Sequence, residues 1–177
     1  MGRSLFFTLK KDVIEMRVLA FDQSTRCSGW SYFENNEYVA SGTVDMSQST
    51  LETDERSFEM AKSLWRIIKQ YKPECLILEN VQQQTSPKVL VILARLQGMI
   101  IGYAEAHKIK VHILLPSQWR AELKYKQGAK VKRAELKQQS IDYVKTKYGL
   151  DVLEDECEAI ALNDAARKKL DLNETWE

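Results

Sequence analysis

The stretch Val18-Leu19-Ala20-Phe21-Asp22-Gln23-Ser24-Thr25 decides how the rest of the chain is read. Four apolar residues lead into a single carboxylate, and small polar residues that favour a turn follow at once. A short apolar run of this kind reads as a buried strand. Alternation along a strand puts Val18, Ala20 and Asp22 on one face and Leu19 and Phe21 on the other. A carboxylate at the mouth of an apolar strand costs roughly several kcal/mol to desolvate unless something positive holds it. Taken alone, Asp22 also fits a turn aspartate capping its own backbone. Two more acidic sites further along turn the reading toward chemistry.

Working outward, Trp30–Phe33 and Tyr38–Val44 are two more strand candidates, joined by the turn-forming Glu34-Asn35-Asn36-Glu37. Short polar turns between three strands predict an antiparallel meander. Ser49-Thr50-Leu51-Glu52 has the form of a capping box, and the helix after it carries Phe58, Ala61, Trp65, Ile68 and Tyr71 on one face. Pro73 stops that helix. Cys75-Leu76-Ile77-Leu78-Glu79 is a fourth strand, again apolar and again ending in a carboxylate. Ser86-Pro87 is a helix start, and the helix from Lys88 to His107 is apolar nearly all round. Such a helix is buried or lies at a subunit interface. Arg95, Gln97 and Glu105 argue against a membrane span, while Gly98 and Gly102 would admit a second backbone. Val111–Leu115 is a fifth strand, stopped by Pro116. A basic segment follows, whose helix places Ala134, Ile141, Val144 and Tyr148 on one stripe and ends at Gly149. The last helix, Glu154 to Leu170, carries Asp155 and Glu158 one turn apart.

With 177 residues, 44% of them apolar and 29% charged, the chain is most simply one soluble domain. Cys27, Cys75 and Cys157 are dispersed and odd in number, which points to a reduced, cytosolic protein rather than a disulfide framework. With His107 and His112 they form no zinc spacing. The net charge is only +1, yet His107–Tyr148 holds eleven Lys/Arg against Glu122, Glu135 and Asp142. That local excess suggests a face for a polyanion. Within it Lys124 to Arg133 are the candidate contacts. Lys145 and Lys147 read as a solvated helix face, and Trp119 fits either core or base stacking.

Four carboxylates brought together from two strand ends and a helix would repel unless divalent cations bound them. Hard cations such as Mg²⁺ want oxygen donors, and two such ions can activate water and stabilise the leaving oxygen of a phosphodiester. That chemistry needs carboxylates and neither His nor Cys.

Asp22 to Trp30 resembles the first-strand motif of the RuvC Holliday junction resolvases. Leu78-Glu79-Asn80-Val81 is similar to their second motif, and Asp155-Glu156-Cys157-Glu158-Ala159-Ile160-Ala161 to their C-terminal acidic helix. The resemblance runs over residues 16–170 with all motifs in order, and within the superfamily it looks closest to RuvC-like proteins of phages infecting Gram-positive bacteria. It implies an α/β, ribonuclease H-like mixed five-stranded sheet flanked by helices. It also implies a homodimer, Mg²⁺ (with Mn²⁺ as substitute), and nicking of four-way junctions and forks in the bacterial cytoplasm. No membrane or small-molecule substrate is expected. By motif position Asp22, Glu79, Asp155 and Glu158 are the catalytic metal ligands. Arg120 and Lys132, or Lys130, stand near family lysines that face phosphate, and Lys124, Lys126 and Arg133 complete the expected DNA contacts. Residues 16–170 are then the nuclease domain, 1–15 an extension or alternative start, and 171–177 a flexible tail.

Three departures bear on the site. Glu158 stands where the family usually has Asp, and Glu156 competes with it. Gln82 stands where an aromatic residue often stacks on a base, an interaction of about 1–3 kcal/mol per base. Two other readings remain: a branched-DNA binder without catalysis, and an ATP-handling protein of the sugar-kinase and actin class. The latter needs a second glycine-rich phosphate loop, which a chain with seven glycines does not show.

Overall fold

The computed structural model describes residues 16–82 and 86–170. The expected extension, the expected tail and the Gln83-Gln84 part of the polar run lie outside them. Strand β1 (Arg17–Asp22) is followed by β2 (Cys27–Glu34) and β3 (Glu37–Asp45), then α1 (Thr53–Tyr71), β4 (Cys75–Glu79), α2 (Pro87–Ala106) and β5 (Lys110–Leu114). Three helices close the order: α3 (Pro116–Glu122), α4 (Arg133–Tyr148) and α5 (Glu154–Lys169). The sheet runs β3-β2-β1-β4-β5. The first three strands are the antiparallel meander, and β4 and β5 join parallel. This is the expected mixed five-stranded sheet.

The alternation read from β1 sorts the core. Leu19 and Phe21 pack with Met60, Leu64, Leu96 and Ile100 beneath α1 and α2. Val18 and Ala20 pack on the other face with Trp119, Ala161 and Ala165 beneath α3 and α5. Pairing Ala20 with Ile77 and Phe21 with Leu78 keeps β1 and β4 in phase. Asp22 and Glu79, the next residues of each strand, therefore leave the sheet on the α3–α5 face.

Helix α5 is buried from Cys157 to Arg167 although its sequence is largely polar. Ala159, Ala161, Ala165 and Ala166 let it lie close on the sheet, and its polar groups are bonded rather than solvated. Asn163 donates to the Val18 and Ser31 carbonyls at 3.3 and 3.1 Å, and Ser31 donates to the Ala159 carbonyl at 2.8 Å. Gly29, opposite Asp22 in the β1–β2 ladder, carries the start of this helix. A Cβ there would lie 1.8 Å from the Asp155 carbonyl oxygen.

Several local expectations shift. Ser49 makes no capping box: its hydroxyl accepts from the Leu51 N–H, and α1 begins after Glu52. The inner face of α1 is Ser57, Met60, Ala61, Leu64 and Ile68, so Phe58 is 53% exposed. On α4 the buried positions are Ser140 and Val144, and Ala134 is exposed. The segment after Pro116 forms a helix of its own, α3, as proline at the first helical position favours. Among the described residues α2 alone has the length and apolarity of a membrane span. Its inner residues Leu96, Gln97, Ile100 and Ala104 belong to the domain interior, while Val89 and Val91 stay exposed. It is not a helix buried on every side.

Candidate metal and nucleic-acid site

Where β1 and β4 end, a cleft of about 870 Å³ opens, with Asp22, Glu79, Asp155 and Glu158 all in its lining. The four acids named from the sequence thus line one cleft, contributed by two strand ends and the first turns of α5. Burial, and then the negative charge of Glu158, Glu79 and Asp155, push the Asp22 carboxyl well above the usual carboxylate range, with Lys137 pulling the other way. Burial raises Glu79 as well, against a hydrogen bond from Trp119 and the charge of Arg120. Glu156 faces elsewhere, accepting a 2.5 Å hydrogen bond from Ser41 on β3. Of the two competing acids, Glu158 is the one in the cleft.

Polar contacts fix the acid-bearing ends. Gln23 and Gln97 both donate to the Glu79 carbonyl, at 2.6 and 2.8 Å, locking the end of β4 against the turn after β1 and against α2. Arg56, buried in α1, donates to the Thr25 carbonyl at 3.1 Å and holds that turn. Trp119, 1% exposed, donates from its indole N–H to Glu79 Oε2 at 2.6 Å. Its place is in the core beside the acids, away from stacking on a base.

Each acid of the pair nearest α3 also meets a cation. Arg120 Nη2 lies 3.3 Å from Glu158 Oε2 and 3.8 Å from Glu79 Oε2. Ser140 donates to Glu158 Oε1 at 2.5 Å. Lys137, paired with Glu154, comes within 3.9 Å of Asp155. Among the described residues no group of three or more Asp, Glu, His or Cys side chains is arranged to hold a metal ion. The donor chemistry nevertheless fits a divalent cation: all four groups are hard oxygen donors, and the charge of the other three adds to burial in raising Asp22.

The expected DNA contacts divide. Arg120 and Arg133 line the cleft. Arg120, expected to face phosphate, is turned onto two of the acids. Lys124, Lys126, Lys130 and Lys132 are exposed in the connection from α3 to α4 and do not line it. Lys137 does, and was missed as a site residue. Its signal was the helical spacing Arg133, Lys137, Ser140, Val144, which marks the face of α4 turned to α5. Arg26 and Lys88 line the cleft from outside the basic segment, where no local charge excess pointed to them.

Compared with known proteins, residues 18–162 match the family model described as crossover junction endodeoxyribonuclease RuvC. A protein of that name from Nitrosomonas eutropha is 30% identical over 55% of this chain and 56% of its own length. The aligned stretch spans about half the length of the first curated relatives. Among solved structures, Thermus thermophilus RuvC in complex with Holliday junction substrate superposes with a TM-score of 0.69 at 14% identity, over 89% of this chain and 96% of that one. The yeast mitochondrial Holliday junction resolvase Ydc2 gives 0.55 at 16% identity, over 85% and 77%. These likenesses show the ribonuclease H-like fold. With a family match that covers most of its length and all four acids, this chain belongs to the RuvC family.

Proposed function

We propose that the protein is a divalent-metal-dependent endonuclease that nicks four-way junctions and other branched DNA, with Mg²⁺ as its ion and Mn²⁺ as a substitute, acting in the bacterial cytoplasm. The observation that carries this reading is the meeting of Asp22, Glu79, Asp155 and Glu158 in one cleft with Arg133 and Lys137 in the same lining. Divalent cations held by these acids would activate a water and stabilise the leaving oxygen of a phosphodiester. The chain's own groups do the rest. Trp119, Gln23 and Gln97 hold Glu79 in place. Arg26, Lys88, Arg133 and Lys137 offer positive charge to a backbone, which supplies affinity and register without reading sequence.

Paired nicks call for two equivalent sites, and an isologous dimer presents them. The outer face of α2 supports this assembly. Val91 is exposed on it beside Gly98 and Gly102, and among the described residues beyond the helix's own turns nothing lies within 4 Å of a Cβ placed at either glycine.

A labelled four-way junction incubated with Mg²⁺ and with EDTA tests the reading, with Asp22→Asn as the variant. Nicking should require the metal and vanish in Asp22→Asn while junction binding persists. Nicking retained by that variant would overturn the assignment. The pairing of Arg120 with two acids favours the other reading, a branched-DNA binder without catalysis. Binding with no nicking under Mg²⁺ or Mn²⁺ would establish it.

A further inference from the structure

We propose that Arg120 is a built-in counter-ion of the acid cluster, one that divalent metal must displace from Glu158 and Glu79. The inference rests on the metal-site reading above but concerns a different event, the exchange of one cation for another.

Three observations carry it. The Arg120 guanidinium bridges the two acids, at 3.3 Å from Glu158 and 3.8 Å from Glu79. The remaining contacts of these carboxylates are neutral donors, Ser140 on Glu158 and Trp119 on Glu79. Neutral donors can remain on a carboxylate whose other lone pairs bind metal, whereas a guanidinium and a divalent ion compete for the same charge. Finally, Arg120 is poorly satisfied by the protein itself. Its side chain is 15% exposed and its guanidinium sits 4.8 Å from the Trp119 ring centroid, yet its buried Nε has no hydrogen-bond partner. Buried Arg167 shares an unfilled Nε but makes three hydrogen bonds through its other nitrogens, to Asn36 and Asp164, whereas among the described residues Arg120 makes one, to Glu158. Arg120 is placed by charge and held by few bonds, as a displaceable ion would be.

Metal binding to the DNA-free full chain tests the exchange. By calorimetry, Arg120→Gln should bind Mn²⁺ about tenfold or more tightly than the wild type, because the competing charge is gone. Arg120→Lys, which keeps the charge, should stay near the wild-type value. Arg133→Gln lines the same cleft without pairing to the acids, and should move the constant less than Arg120→Gln. In the wild-type protein, the Arg120 Nε–H resonance, assigned by its loss in Arg120→Lys, should shift as Mg²⁺ is added. That second measurement stands even where Arg120→Gln fails to fold. An Arg120→Gln constant equal to or weaker than wild type, or an unmoved resonance while Mg²⁺ binds, overturns the exchange alone. A wild-type protein that binds neither ion overturns the metal reading with it.

Discussion

Replacing Gly29 with alanine is the sharpest single test of how the fold makes the site. Gly29 pairs with Asp22 across the β1–β2 ladder, and the first turn of α5 rests directly on it. The added Cβ would stand 1.8 Å from the Asp155 carbonyl oxygen and 2.4 Å from its carbon, where ordinary contact begins at 3.4 Å. The backbone at Asp155 must therefore retreat by about 1.6 Å, since neither neighbour is a flexible side chain. Eight residues on, Asn163 pins α5 to Val18 and Ser31, so the helix pivots there. Displacement shrinks in proportion toward the pivot, leaving Glu158, five residues from it, out of place by about 1 Å at a rise of about 1.5 Å per residue. A misplacement of about 1 Å costs on the order of 100-fold in rate. Overpacking adds about 1–3 kcal/mol of lost stability, and each kcal/mol lowers Tm by about 2–4 °C in a chain of this size. Single-turnover nicking of a four-way junction and thermal melting by circular dichroism measure the two effects. Gly42→Ala is the control, because its Cβ would meet the Trp30 ring at 2.9 Å and none of the acids. It should lose stability and keep its nicking rate. If Gly29→Ala nicks and melts like the wild type, the close seating of α5 is not what positions Asp155 and Glu158.

Asp164 governs the acid limb of stability. Burial opposes its ionisation, but hydrogen bonds from Lys147 and Tyr143 and the charges of Lys147 and Arg167 outweigh burial and hold it below its ordinary value of 3.8. Its contribution is present above that value and lost as pH falls through the lower folded one. Asp164→Asn should destabilise by about 3–5 kcal/mol at neutral pH, a gap to the wild type that closes in melts below about pH 4. On α2, Gly98→Ala with Gly102→Ala should gain helix propensity of about 1 kcal/mol per site in a lone chain. If a second copy packs there, sedimentation will show monomer in place of dimer at unchanged helical content; a persisting dimer would place the interface elsewhere. Arg26→Gln with Lys88→Gln should flatten the log–log salt dependence of junction binding by about two, read by anisotropy in EDTA. An unchanged slope would remove both residues from the DNA path.

What was legible in the chain follows from the kind of interaction that made it so. The strands ending in Asp22 and Glu79 were readable because burial on both faces writes continuous apolar runs, and side-chain alternation then fixes which face each acid takes. On the expected face of α1, Ala61 and Ile68 are buried and Trp65 and Tyr71 pack on the core, and only Phe58 falls outside, because it fits the helical period as well as Ser57 and Met60 do. Only tertiary packing decides which stripe turns inward, and it leaves Phe58 half exposed. Burial of α5 left no signal, since it depends on alanines lying close to the sheet and on Asn163 bonding to two strands far away in sequence.

The cations of the site were harder to read than its acids, for an electrostatic reason. A carboxylate ending an apolar strand is conspicuous because nothing else explains it there. A lysine or arginine inside a basic segment resembles its neighbours, and which one meets an acid depends on helix rotation and on the path of a loop. Counting charge therefore found the face and ranked its residues poorly. Lys124, Lys126, Lys130 and Lys132 stay outside the cleft lining, while Lys137 enters it by its spacing along α4. Arg120 sits where the resemblance put a cation, but four acids in a confined space draw a guanidinium to themselves before any substrate arrives. In a site that concentrates negative charge the nearest guanidinium pairs first, and under the exchange proposed above a divalent ion must displace it from Glu158 and Glu79.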